Sequence, residues 1–443
     1  MSDSDTTSQK STSSVLKKEK FSQCLERLSN EYLAEISSLG MTHRLPMLKT
    51  LVQSPTGVDL DILLSKESSS YVLNCGGTNW QCVSVSMDSN GVTVDSKIVA
   101  RSFDDVSSRN YSSLRDFVST IADLLYDNIG ERKTVINSVA LVLGFPQEVF
   151  RVEYGIDAKL TKNGLTKDWY IGGKVNNRMI GELLMDIMDE KYNVKIKRFV
   201  CGNDAALMMW DLSVKLSSDE LIAPIGGVWG TGTNIGVVDP KVNEIVNTEM
   251  GSAIALLTED DINTYKKMKE LRLHVPDQIY TELFVGGDYL LYGFVAKLYS
   301  GYWEKLSDKT KKYLTNKCKC RGNSDIISKI ACSESSEECE QLLKLGFNLG
   351  SDFLTLYRIA MELLDELAYR IALMIISAVK YSRISNDKKW VISVEGGVIT
   401  NAYGVHQKVT MILKENLPDY SLRLATDGSS KKALAIFAQS LSI

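Results

Sequence analysis

The sequence predicts a mixed α/β protein of two domains, and three observations carry that prediction. Short apolar runs alternate with amphipathic segments of helical period, the pattern of a sheet layered with helices. Two stretches of the same grammar, 71–86 and 224–238, each set a glycine-rich turn between β-type runs. At 443 residues the chain exceeds what one hydrophobic core commonly organises.

The two turns are the chemically informative part. Gly230-Thr231-Gly232-Thr233-Asn234 and Gly76-Gly77-Thr78-Asn79 both combine glycines, which let backbone N–H groups approach a ligand, with hydroxyl and amide side chains that can face an anion. Each reads as a phosphate loop on a hairpin. Their recurrence suggests two similar halves gripping one phosphate chain.

Composition narrows the partners. With 44% hydrophobic and 24% charged residues and a net charge of −4, the chain has no basic footprint for nucleic acid. Residues 1–14 are rich in Ser and Thr without an apolar core, and no apolar run reaches the length of a bilayer span, so no membrane partner and a cytoplasmic location are expected. Eight cysteines fit reduced thiols: Cys75, Cys82 and Cys201 sit in apolar surroundings, as small hydrophobes do. Cys318 and Cys320 lack the spacing or a neighbouring His for a metal site and read as incidental thiols of a surface loop; no metal ligand set is assigned.

Taken in order, residues 1–20 are expected to be disordered and 21–36 to form a helix, followed by a connector broken by Pro46 and Pro55. The first hairpin and a third strand over 92–100 follow, then an amphipathic helix over 111–129. A buried strand over 135–143 ends at Gly144-Phe145-Pro146, where Gly and Pro turn the chain out of the sheet. A helix over 180–188 leads to a strand over 194–200, which delivers Gly202-Asn203-Asp204 ahead of a helix over 205–210. Beyond the second hairpin come the longest helical run, 361–381, a strand over 390–394 stopped by Glu395-Gly396-Gly397, and a terminal helix over 429–441.

In series these motifs resemble the eukaryotic hexokinases of the actin-like ATPase superfamily, from about Leu45 to the C-terminus. Gly76-Gly77-Thr78-Asn79 resembles the first phosphate motif, and Leu165-Thr166-Lys167 the W-T-K sugar segment. Asn203-Asp204 matches the N-D pair, Gly230 to Asn234 the G-T-G-T-N motif, and Asn247-Thr248-Glu249 the N-T-E. Glu282, seven residues before Tyr289, matches the glutamate of E-x₆-Y, and Asp427-Gly428-Ser429 resembles the D-G-S near the adenosine pocket. The order and spacing carry the resemblance, since each motif alone is weak.

The resemblance implies a ribonuclease H-like, actin-like ATPase fold of two α/β domains around a central cleft. Residues 65–203 with the terminal helix 429–443 would form the smaller domain, and 21–64 with 205–428 the larger. It implies an ATP- and Mg²⁺-dependent kinase acting on the 6-hydroxyl of glucose or a related hexose, as monomer or homodimer. Phosphoryl transfer needs in-line oxygens, neutralised phosphate charge and a base for the hydroxyl proton. On residue pattern alone Asp204 reads as a helix N-cap. The resemblance makes it the general base, at a strand C-terminus where open α/β sheets present ligands. Asn203, Asn234, Glu249 and Glu282 would ring the sugar with donors and acceptors, joined by Thr166 and Lys167. Gly76, Gly77, Thr78, Asn79, Gly230, Thr231, Gly232, Thr233, Gly428 and Ser429 would meet ATP.

Several positions depart from the family pattern. Its first phosphate motif begins with Asp where this chain has Asn74, and carries Arg where this chain has Gln81. S-F-P becomes Gly144-Phe145-Pro146, G-S-G-K-G becomes Gly428-Ser429-Ser430-Lys431-Lys432, and V-D-G becomes Val394-Glu395-Gly396. The sugar side is thus better kept than the nucleotide side. Two readings follow: an active hexose kinase, and a hexokinase-like sugar sensor that transfers phosphate poorly.

Overall fold

In the computed structural model the described residues are 23–24, 26–28, 30, 48–53, 68–77, 79–88, 91–103, 106–131, 134–145, 147–161, 169–175, 177–212, 220–239, 244–254, 257–319, 322–382 and 389–425. The expected terminal helix and sites at Thr78, Pro146, Thr166, Lys167, Gly428 and Ser429 lie outside them, as does most of 21–36, where the described residues are helical and Leu28 is buried.

Two sheets organise the chain. Strands β1 (Leu48–Gln53), β2 (Ser68–Cys75), β3 (Asn79–Asp88), β4 (Gly91–Ser102), β5 (Asn110–Tyr111), β6 (Val135–Ile136), β7 (Val139–Leu143), β8 (Gln147–Val152), β9 (Gly155–Leu160), β10 (Tyr170–Ile171), β11 (Lys195–Ile196) and β12 (Phe199–Gly202) are followed by β13 (Glu220–Trp229), β14 (Thr233–Asp239), β15 (Glu244–Asn247), β16 (Lys389–Glu395) and β17 (Tyr420–Leu424). The first sheet runs β4-β3-β2-β7-β12-β9-β8 and the second β1-β15-β14-β13-β16-β17. Within them, β4-β3-β2-β7-β12 and β15-β14-β13-β16-β17 are the same arrangement: an antiparallel three-strand meander extended by two parallel strands. The repetition expected from the two turns is therefore a repetition of whole half-sheets.

The helices are α1 (Leu114–Ile129), α2 (Ile180–Tyr192), α3 (Asp204–Leu212), α4 (Glu259–Glu270), α5 (Glu282–Val285), α6 (Leu290–Tyr299), α7 (Asp308–Lys317), α8 (Asp325–Cys332), α9 (Ser336–Leu343), α10 (Asp352–Ser382), α11 (Gly397–Asn401) and α12 (Val405–Asn416). Strand alternation sorts the core. Leu73, Cys75, Leu141, Leu143, Phe199 and Cys201 face α1 and α2, whereas Val72, Ala140, Val142 and Val200 face the opposite way. That second face meets Ala206, Leu207, Met209 and Trp210 of α3 together with Ile245 and Val391 of the second sheet, so α3 is wedged between the sheets. The long, largely buried α10 lies within the largest core, against the far face of the second sheet.

Four expectations change. The runs 135–143 and 194–200 each break into two strands, and the detached pieces β6 and β11 pair with each other in parallel. The connector after Pro46 contains a strand, β1, antiparallel to β15. Residues 361–381 form part of a helix of 31 residues that starts at Asp352. Cys318 does not lie in a surface loop: it ends α7 and is buried at 7% exposure, because α7, α8 and α9 pack as a helical layer that includes the buried Cys339. Among the described residues no helix is long and apolar enough to cross a membrane.

Helix α3 approaches the second sheet through glycines. A Cβ on Gly236 would lie 2.8 Å from the Ala205 carbonyl oxygen and 3.0 Å from Ala206 Cα. These are backbone atoms and cannot rotate away, so Gly236→Val must push α3 off the sheet. We expect a loss of about 1–3 kcal/mol in stability from overpacking, measured by urea unfolding.

Candidate active site

The carboxyl ends of β2, β7, β12, β13 and β16 meet in one place. Gly76 follows β2, Gly144 follows β7, Asn203 and Asp204 follow β12, Gly230 follows β13 and Gly396 follows β16. All six line a single cleft of about 220 Å³ together with Asn74, Phe145, Val228, Thr231, Gly232, Thr233, Asn234, Glu249, Glu282 and Glu395. Carboxyl ends of parallel strands are where open α/β sheets bind ligands, because the chain leaves the layer there.

Asn203 and Asp204 sit at the start of α3. Both Asn203 Oδ1, at 3.0 Å, and Asp204 Oδ1, at 2.8 Å, accept from Ala205 N–H. Asp204 is itself the first residue of α3, so the N-cap expected of it falls to Asn203, whose Oδ1 meets the second helical N–H. Asp204 Oδ2 lies 3.7 Å from where a Cβ on Gly144 would stand, so the glycine leaves open space beside the carboxylate.

A hydrogen-bonded array fixes the polar wall opposite. Buried Asn247 accepts at Oδ1 from Asn234 Nδ2, at 2.6 Å, and from Glu249 N–H, at 3.2 Å, and its Nδ2 donates to Glu249 Oε1 at 2.8 Å. Asn234 Oδ1 accepts from Ile235 N–H at 2.8 Å. Glu249 adopts φ +47°, a left-handed conformation costly for a residue with a Cβ. Its neighbours hold it there: Ser252 Oγ and N–H donate to its carbonyl at 2.7 and 2.9 Å, while Asn247 holds its amide and carboxylate. Glu282, at the start of α5, accepts from Thr233 N–H at Oε2, 2.9 Å, which ties the E-x₆-Y segment to the second glycine turn.

That turn is braced further. Gly230 N–H donates to Gly232 O at 2.9 Å, Gly287 N–H to Gly230 O at 2.8 Å, and Asp288 N–H to Thr231 O at 3.3 Å. Gly396, at φ +114°, has no room for a side chain, since a Cβ would stand 2.3 Å from the carbonyl carbon and oxygen of Trp229. The first turn is anchored differently: Trp80 Nε1 donates to Gly76 O at 3.0 Å and Trp169 Nε1 to Gly77 O at 2.8 Å.

The same fold occurs in a hexokinase from Schistosoma mansoni complexed with glucose, with a TM-score of 0.70 and 17% identity over 95% of each chain. A second hexokinase matches with a TM-score of 0.68 and 16% identity over 96% of this chain and 99% of that one. The chain has the hexokinase fold. No protein-family model matches it, and no curated protein matches it in sequence.

Within this hexokinase fold the cleft gathers Asn203, Asp204, Asn234, Glu249, Glu282, Gly76 and the second turn, Gly230 to Thr233. Gly77, within the first turn, is buried and Asn79 is exposed at the start of β3; among the described residues of that turn only Gly76 lines the cleft. Sequence reasoning left out Asn247, although the N-T-E triplet contained it, and Glu395, which it treated only as a departure. It also left out a second cavity of about 350 Å³ lined by Leu290, Ser324, Asp325, Ser328, Lys329, Leu364, Gly397, Val398, Asn401 and Ala402, next to the Gly396 end of the cleft. Its α8 residues carried no motif.

Cys75 ends β2 directly beside Gly76, yet it is no nucleophile. Burial first, and then neighbouring Cys82, push its thiol well above the ordinary range. Cys82 is pushed up to about 12, chiefly by burial. In the folded protein at pH 8, iodoacetamide should leave Cys75, Cys82 and Cys201 unmodified, and peptide mass spectrometry after a timed pulse reads this directly.

Proposed function

We propose that the protein is a hexose kinase that transfers the γ-phosphoryl group of ATP to the 6-hydroxyl of glucose or a related hexose, with Asp204 as general base. The observation that carries this is the convergence of Asp204, a fixed set of neutral and acidic hydrogen-bonding groups, and two glycine turns on one cleft. A neutral sugar offers hydroxyls only, and Asn203, Asn234, Glu249 and Glu282 supply donors and acceptors for them. Because Asn247 fixes Asn234 and Glu249 in advance, little side-chain entropy remains to be lost when a hexose binds. Glu282 holds the amide of Thr233, so the sugar wall and the phosphate turn share a bond.

Among the described residues lining the cleft there are four carboxylates, Asp204, Glu249, Glu282 and Glu395, and no Lys, Arg or His. The charge of a triphosphate has to be met by backbone N–H groups and by a cation. The amide oxygen of Asn74 and the carboxylate of Glu395 suit Mg²⁺, which would supply Lewis-acid stabilisation of the phosphates when bound, and leave Asp204 free to act as the base. The second cavity, reached past Gly396 and Gly397, suits the adenosine. We assign residues 65–203 with 429–443, and 21–64 with 205–428, to two domains that close on the cleft and exclude water.

One observation favours the second reading, a sugar sensor of weak catalytic power. Asn74 and Gln81 are direct partners in the β2–β3 ladder, so the two charged residues of the family motif are replaced by amides at one paired position beside the phosphate turn.

The deciding experiment is Mg²⁺-ATP turnover against glucose, mannose, fructose, glucosamine and N-acetylglucosamine. Sugar-dependent turnover that falls about 10²- to 10⁴-fold in Asp204→Asn establishes the kinase. Glucose binding without turnover selects the sensor, and Asn74→Asp with Gln81→Arg should then restore activity. Asn247→Ala should weaken hexose binding about tenfold or more by freeing Glu249 and Asn234, as calorimetric titration would record, while leaving the nucleotide affinity within about twofold.

A further inference from the structure

We infer that Trp80 and Trp169 are positioning residues that set the backbone polarity of the first glycine turn, and with it the affinity for a nucleotide's phosphates. The inference rests on the kinase reading above for its ligand but on separate atoms for its argument. The two indoles stack at 5.0 Å with an interplanar angle of 8°, and both are buried. Their N–H groups point at successive carbonyls, Gly76 O at 3.0 Å and Gly77 O at 2.8 Å. Such pairing is not automatic in this molecule, since Trp229 and Trp390 bury their Nε1 atoms without a partner among the described residues.

The consequence follows from peptide geometry. In a trans peptide C=O and N–H are antiparallel, and no cis peptide occurs among the described residues. Drawing the Gly76 carbonyl into the aromatic core therefore turns the Gly77 N–H away from it. Glycines lack the Cβ that resists a peptide flip, so an untied Gly-Gly turn can present a carbonyl where an anion needs an N–H. Flipping the tied turn would leave a buried indole N–H unpaired, which opposes it. Cross-strand pairing of Cys75 with Trp80 fixes one indole to the strand that carries the turn.

The clamp also touches the sugar side. Phe145 lines the cleft next to Gly144 and meets the Trp169 ring at 5.4 Å, while Phe103 and Phe117 close the cluster around Trp80 and Trp169. Phe145 packs on the ring of Trp169, whereas the phosphate turn depends on its N–H. The two functions of the indole can be separated by substitution.

Trp169→Phe and Trp80→Phe keep an aromatic ring and remove the donor. Binding of a non-hydrolysable ATP analogue with Mg²⁺, and of glucose, is measured by calorimetry for the wild type, both single variants and the double variant. Each single variant should weaken the analogue about fivefold and the double about 20-fold or more, with glucose affinity within twofold; where turnover exists, KM for ATP should rise with kcat changing less. Equal losses of glucose and nucleotide binding, accompanied by a lower melting temperature, would show a merely structural role and overturn the inference, as would unchanged nucleotide affinity. If a single variant fails to fold, the other decides, because each acts on its own carbonyl. Wild-type binding of both ligands without turnover sinks the kinase reading alone, and the variants still judge the clamp. A wild type that binds no nucleotide overturns both.

Discussion

Helix α3 meets the second sheet with nothing larger than a hydrogen atom at two positions, and the geometry of the cleft depends on that contact. A Cβ on Gly226 would stand 2.8 Å from Met208 Cβ, and one on Gly236 2.8 Å from the Ala205 carbonyl oxygen. The helix begins at Asp204, at the end of a strand of the first sheet, and lies against β13 and β14, the strands that bracket the second glycine turn. One element thus belongs to both halves. Packing this close leaves the helix no room to shift, so the position of its first residue, Asp204, relative to Gly230–Thr233 is fixed by the sheets.

The two sides of the cleft are held by different means. On the sugar-assigned side, side chains hold side chains: Asn247 binds Asn234 and Glu249, and Glu249 is kept in a left-handed conformation by four hydrogen bonds. On the phosphate-assigned side, backbone is held by buried indole N–H groups at Gly76 and Gly77, and by the amides of Gly287 and Asp288 at Gly230 and Thr231. A hydroxylated ligand must be matched in both donors and acceptors, which needs side chains. A polyanion needs donors and cations, and the lining contains four carboxylates without a basic residue among the described ones.

Much of this was legible in the sequence because it was written in short, local patterns. Both hairpins, α1, α2 and the delivery of Asn203-Asp204 from β12 follow from apolar alternation, helical spacing and glycine placement. Boundaries failed where a tertiary partner decides them. Residues 135–143 and 194–200 each read as one strand, yet both break at the same level, where β6 and β11 pair apart from the main sheet. Strand β1 exists because β15 offers it an edge, which no local pattern announces. The layer α7–α9 was hidden by its charged outer faces: α7 carries four lysines, and only its packing reveals that Leu314 and Cys318 point inward. Within the site, the residues assigned to the sugar and Asp204 were found through motifs, whereas Glu395, the second cavity and residues that hold other residues, such as Asn247, Trp80 and Trp169, were not.

The substitution of Asn74 and Gln81 gains meaning from their register. As direct partners in an antiparallel ladder they share one face of the β2–β3 hairpin. Both positions are half-buried, and an amide at each keeps a donor and an acceptor on that face. Exchanging both for amides keeps the local net charge and hydrogen-bonding capacity while removing the field of each charge. The change is therefore cheap for folding and is felt mainly by a charged ligand at the end of β2. Stability is thus insensitive to this pair in a way that a charged ligand at the end of β2 is not, so the hexokinase fold of the chain is by itself no argument for a rate of phosphoryl transfer.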